Sequence, residues 1–165
     1  MKIQMLKALV ATSAIAALGL GATAANAATA TATARAKILR QVTVTNTSDL
    51  QFGTIVTGAA ASTVAVSTAG VRTCGSGLVC SGATTAANFN VTGTAAQVVT
   101  VSIPATVTLS AGANNMTASL ASSGATLTLG AAGTGSFTVG GTLSVAAAQA
   151  DGDYAGTFTA TVDYQ

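Results

Sequence analysis

The stretch that decides the fold is Ala28-Thr29-Ala30-Thr31-Ala32-Thr33-Ala34-Arg35-Ala36-Lys37-Ile38-Leu39-Arg40-Gln41-Val42-Thr43-Val44. Its even positions are apolar apart from Arg40, and its odd positions are polar apart from Leu39. A period of two predicts a β-strand with one face to bury. Residues 28–44 at about 3.3 Å each would run about 56 Å, whereas strands in small domains usually hold about three to ten residues. One compact domain cannot cover such a ribbon. The length therefore predicts two strands end to end, one inside the body and one reaching out with its Ala face bare. A bare strand leaves edge amides and carbonyls without partners and invites another chain to pair with it. The expected partner is a second copy of the same protein.

Upstream of this ribbon, residues 1–7 carry Lys2 and Lys7 and no acid, and residues 8–20 are almost wholly apolar. Ala25-Asn26-Ala27 is a small-x-small cleavage site. Together they predict a secretory signal peptide over residues 1–27, cut after Ala27. A membrane anchor is the weaker reading, because the apolar run falls short of the roughly twenty residues a span requires. The sequence so far predicts export through the inner membrane, an amino-terminal extension over 28–37 and a folded domain over 38–165.

Past Ala27 the basic residues are Arg35, Lys37, Arg40 and Arg72, and the acids are Asp49, Asp151, Asp153 and Asp163, so the formal charges cancel. Three of the four bases lie in the opening ribbon and three of the four acids in the last fifteen residues. That polarity suits head-to-tail contact between copies. A chain with no net charge also lacks the repulsion that keeps molecules apart. Nothing here forms the basic stripe of a nucleic-acid binder.

The rest of the chain reads as short strands with Gly-rich turns. Leu50-Gln51-Phe52-Gly53-Thr54-Ile55-Val56 predicts a strand with a bulge at Gly53. Residues 63–67 and 70–74 predict a hairpin across Thr68-Ala69. Strands are predicted near residues 88–93, 97–103, 107–109, 116–120, 125–129, 136–139 and 142–145, with a brief helical turn at 146–150. The closing segment, 156–164, places Phe158, Ala160, Val162 and Tyr164 on one face and Thr157, Thr159, Thr161 and Asp163 on the other. The fold class predicted is an all-β sandwich.

Chemistry has little to work with. Histidine is absent, and so is glutamate. The usual general base and the commonest metal ligand are therefore missing, and no Ser-His-Asp triad can be built. Asp151 and Asp153 form the one close carboxylate pair, and a turn explains them better than a glycosidase pair or a calcium loop. The Gly runs at 130–135 and 140–141 have no following Lys and are not phosphate loops. The expectation is no enzyme, no cofactor, no metal and no small-molecule substrate. Cys74 and Cys80 flank Gly75-Ser76-Gly77-Leu78-Val79. In an exported chain this spacing predicts a structural disulfide closing a tight hairpin. The separated aromatics Phe52, Phe89, Phe137, Phe158, Tyr154 and Tyr164 are read as core rather than as a sugar-stacking platform.

Three stretches carry a resemblance: residues 42–56 (Val-Thr-Val-Thr-Asn-Thr-Ser-Asp-Leu-Gln-Phe-Gly-Thr-Ile-Val), 137–145 (Phe-Thr-Val-Gly-Gly-Thr-Leu-Ser-Val) and 152–164 (Gly-Asp-Tyr-Ala-Gly-Thr-Phe-Thr-Ala-Thr-Val-Asp-Tyr). They resemble secreted bacterial proteins known only as a domain of unknown function. More distantly they are similar to spore coat protein U-like subunits of archaic chaperone–usher pili. That resemblance implies an incomplete immunoglobulin-like (pilin-type) sandwich whose missing strand is supplied first by a periplasmic chaperone and then by the extension of the next subunit. It implies an outer-membrane usher as a further partner, and the cell surface or an extracellular fibre as the destination. The donor positions would be Ala28, Ala30, Ala32, Ala34, Ala36 and Ile38. These depart from pilin donors in bulk. At about 0.8 kcal/mol per buried methylene, Ala anchors contribute far less than Val or Leu. The competing expectation is a self-contained secreted β-sandwich that binds a glycan or a surface protein, with the Ala-Thr tract as a disordered leader.

Overall fold

A computed structural model describes residues 27–165. The signal peptide expected over residues 1–27 lies, apart from Ala27, outside the described residues. The chain divides into two units, Met1–Ala36 and Lys37–Gln165. Within the first, residues 27–36 contain no strand, and every one of them is exposed. Of the two strands expected end to end over 28–44, the inner one begins at Thr43. Alternation supplies a face to bury, but a strand forms only where a neighbour accepts its hydrogen bonds.

The second unit is an all-β sandwich. Its strands are β1 (Thr43–Ser48), β2 (Thr54–Val56), β3 (Ser62–Val66), β4 (Arg72–Cys74), β5 (Val79–Ser81) and β6 (Ala87–Thr92). They continue with β7 (Val98–Ser102), β8 (Thr106–Ala111), β9 (Asn114–Ser122), β10 (Thr126–Thr128), β11 (Thr134–Val145) and β12 (Thr161–Tyr164). All pairings are antiparallel. The large sheet runs β1-β6-β11-β3-β4, with β9 and then β8 on the other side of β11. A smaller sheet runs β10-β7-β12, and β2 pairs with β5 in a separate ribbon.

β11 organises the large sheet. Its first half pairs with β6 (Phe137 opposite Phe89), its second half with β3 (Leu143 opposite Val64), and its far edge with β9. Two strands were expected here, broken at Gly140-Gly141. The strand instead runs straight through them, and both glycines are buried. The reason is close approach: a Cβ on Gly140 would collide with the Val66 carbonyl. The pair lets neighbouring backbone come in rather than marking a turn.

Odd positions of β11 then supply both cores. Phe137 and Val139 pack with Phe89, Val91, Val99, Val101, Leu129 and Val162 between the two larger sheets. Leu143 and Val145 pack with Phe52, Val64, Val66 and Ala118 in a second cluster. The expected hairpin at 63–74 forms, with Val64 opposite Cys74 and Val66 opposite Arg72. The strand expected across Gly53 does not form as one piece. Gly53 takes φ +78°, a left-handed conformation open to glycine, and the strand resumes at Thr54. Residues 146–150 make a turn rather than a helical one, with Gln149 N–H donating to the Ala146 carbonyl at 3.3 Å.

Candidate functional site

Two openings indent the second unit. One, of about 470 Å³, is lined by residues including Ser62, Met116, Ser144 and Gln149. The other, of about 680 Å³, is lined by residues including Pro104, Val107 and Phe158. Neither lining contains a charged side chain. Among the described residues no group of three or more Cys, Asp or Glu is placed to hold a metal. Asp151 and Asp153 sit in an exposed turn outside any strand.

The cause of the second opening leads to the more informative region. β7 and β12 are laddered through Thr161 opposite Ser102, and the same two chain segments meet again where Ser110 bridges Ala155. Between those points residues 103–109 lie opposite residues 156–160, two more on one side than on the other. Pro104 has no N–H to offer the ladder. The strands part there, and residues 156–160 make no backbone–backbone hydrogen bond among the described residues. The alternation read over 156–164 is therefore realised as a ladder only from Thr161 onward, although Ala160 and Val162 still face the core.

β12 is the outermost strand of its sheet, and β1 is the outermost strand of the large sheet. The two lie next to each other with no ladder joining them. Each keeps one edge of backbone N–H and C=O groups unpaired, which is the situation that invites strand addition. Tyr164 fixes their spacing: its hydroxyl donates to the Arg40 carbonyl at 2.7 Å and accepts from the Thr94 N–H at 2.7 Å. On the same side, the Arg40 N–H donates to Thr94 Oγ1 at 2.7 Å, and Lys37 Nζ donates to Gln97 Oε1 at 2.6 Å. Ile38, held between these two anchors, is 93% exposed. The other five positions expected to act as donors, Ala28, Ala30, Ala32, Ala34 and Ala36, are exposed and belong to no strand.

The disulfide between Cys74 and Cys80 forms, with Cα atoms 6.1 Å apart. It does not close a ladder-paired hairpin, because β4 pairs with β3 and β5 with β2. It ties the large sheet to the β2–β5 ribbon. Arg72 reinforces that tie by donating to the carbonyls of Ser81 at 2.7 Å and Phe52 at 3.2 Å. The sequence carried no signal for this clamp or for the pin at Tyr164. The aromatics form no exposed platform: Phe52, Phe89 and Phe137 are buried, and Phe89 stacks on Phe137 with centroids 5.1 Å apart.

The family profile for a domain of unknown function (DUF4402) matches residues 42–164. No curated protein and no solved structure gives a significant match. The chain belongs to the DUF4402 family.

Proposed function

We propose that this DUF4402 chain is a structural subunit of a bacterial surface fibre, polymerising by strand addition. The supporting observation is that one molecule combines an alternating stretch outside any strand with two outer strands whose edges are unpaired. Residues 28–36 have strand periodicity without a strand, and β1 and β12 are neighbouring outer strands with unpaired edges. In this reading the Ala-Thr leader of one copy lies along the edge formed by residues 156–164 of another. Nine leader residues meet nine edge residues. The Ala face turns toward Ala160 and Val162, and the Thr face toward solvent. Small anchors suit a core already filled by Phe89, Phe137 and Val162.

The rest of the reading follows from the resemblance to archaic pilins. The sandwich is an incomplete immunoglobulin-like one. The subunit is exported with cleavage after Ala27, and a periplasmic chaperone covers the free edge. An outer-membrane usher then exchanges that chaperone for the next leader. The test is denaturing-gel migration of unheated surface material. A ladder that collapses to monomer on boiling is expected, and deleting residues 28–36 should abolish it while leaving a chaperone-binding body. Stable monomers from native cells, or normal fibres from the deletion, would contradict the proposal.

A further inference from the structure

We infer that the opening at the end of β11 is a weak binding site for a neutral sugar. It is built within the second unit, from β3, β9, β11 and the turn after β11, and does not depend on the strand-addition reading. Thr63 of β3 is paired with Ser144 of β11, and Ser144 with Thr117 of β9. Paired residues share a face of the sheet, so three hydroxyl-bearing side chains stand in one row across three strands, and all three are exposed. Ser62, Asn115 and Gln149 complete the polar lining. The volume, about 470 Å³, falls in the range of small-ligand sites. Thr63, Asn115, Thr117 and Ser144 spend no side-chain hydrogen bond on another described residue.

Gln149 is set in place by its turn. Ala148 takes φ +47°, a left-handed conformation that a side chain disfavours, and its N–H donates to the Gly58 carbonyl at 3.2 Å. Non-glycine residues persist in that region where the surrounding structure holds them, and they gather at binding sites. The Tyr154 hydroxyl donates to the Ala150 carbonyl at 2.9 Å. Its oxygen can therefore only accept from Gln149, whose Nε2 donates to it at 2.8 Å. That fixes which end of the amide faces Tyr154, and it leaves Oε1 and one N–H of Gln149 for a ligand.

The lining's chemistry selects the ligand class. Hydroxyls and carboxamides both donate and accept, as the hydroxyls of a sugar do, and Ala61 and Met116 add apolar surface for its C–H face. No charged side chain lines the opening, and the charged residues nearest to the lining in sequence, Asp151 and Asp153, are exposed acids. An anionic sugar would find no counter-charge there. A peptide has no strand edge to join, because β11 is laddered on both sides at Ser144. No aromatic ring lines the opening, so affinity for one sugar should be on the order of millimolar.

Saturation-transfer NMR on the full secreted chain tests this, since it reads weak binding by monomer or assembly alike. The probes are glucose, galactose, mannose, N-acetylglucosamine, glucuronic acid and the peptide Ala-Thr-Ala-Thr. At least one neutral sugar should take up saturation, roughly threefold or more above glucuronic acid. Gln149→Ala, in the turn, and Thr117→Val, on β9, should each weaken that binding roughly two- to tenfold, the range for one lost hydrogen bond. A loss in either variant places the sugar in this opening. Tyr154→Phe frees the amide of Gln149 and should weaken binding about two- to threefold. Saturation of none of the four neutral sugars, equal saturation of glucuronic acid, binding unchanged in both Gln149→Ala and Thr117→Val, or saturation of the peptide alone would overturn the inference. Each of those results leaves the fibre reading as it stands.

Discussion

Residues 28–36 and β11 make an instructive pair. The leader alternates without a fault from Ala28 to Ala36 and contains no glycine, yet it forms no strand. β11 contains Gly135, Gly140 and Gly141, residues that weaken strands, yet it is the longest strand in the sandwich. The difference lies in neighbours. β11 has β6 and β3 along one edge and β9 along the other, and it lays Phe137, Val139, Leu143 and Val145 into two cores. The leader has Ala on its apolar face, and Ala side chains bury little surface. Periodicity states which face a strand would hide; partners decide whether the strand exists.

Substitutions in the two regions should therefore behave in opposite ways. Phe137→Ala removes a buried ring stacked on Phe89 and should lower the unfolding free energy by about 3–5 kcal/mol, measured by urea denaturation. Gly140→Ala places a methyl against the Val66 carbonyl and should cost roughly 1–3 kcal/mol in the same assay. An unchanged midpoint there would mean that β11 tolerates ordinary residues and that close approach is not what its glycines provide. Tyr164→Phe keeps the ring but loses the bonds to Arg40 and Thr94, and should cost about 1 kcal/mol. Ala32→Ser in the leader should leave the body's midpoint within about 0.5 kcal/mol, because residue 32 is exposed. A larger shift would show that the leader contributes to the body's own stability.

Much of the body was legible in the sequence. Strands bounded by Gly and polar turns were found close to their predicted places, because each carries Val, Leu or Phe at alternate positions and each found a partner. The hairpin joining β3 and β4 and the cysteine pair were readable for the same local reason. What the sequence hid was non-local. Whether Gly140-Gly141 is a turn or a close contact depends on β3, more than seventy residues earlier in the chain. Whether residues 156–160 join a ladder depends on Pro104, whose two-residue mismatch parts the strands. Tyr164 could be assigned a face from its alternation, but its hydrogen bond to Arg40 spans 124 positions. That β1 and β12 are outer strands of their sheets likewise depends on which strands pair and not on any local pattern.

Amide hydrogen exchange on isolated monomer and on assembled material tests the central claim most directly. In the monomer, residues 28–36 and 156–160 should exchange quickly, as unpaired backbone does. On assembly, both stretches should become slow together, at the same subunit stoichiometry, while β6 and β11 stay slow throughout. Slow exchange of residues 28–36 already in the monomer, or fast exchange of those residues within assembled material, would contradict the account.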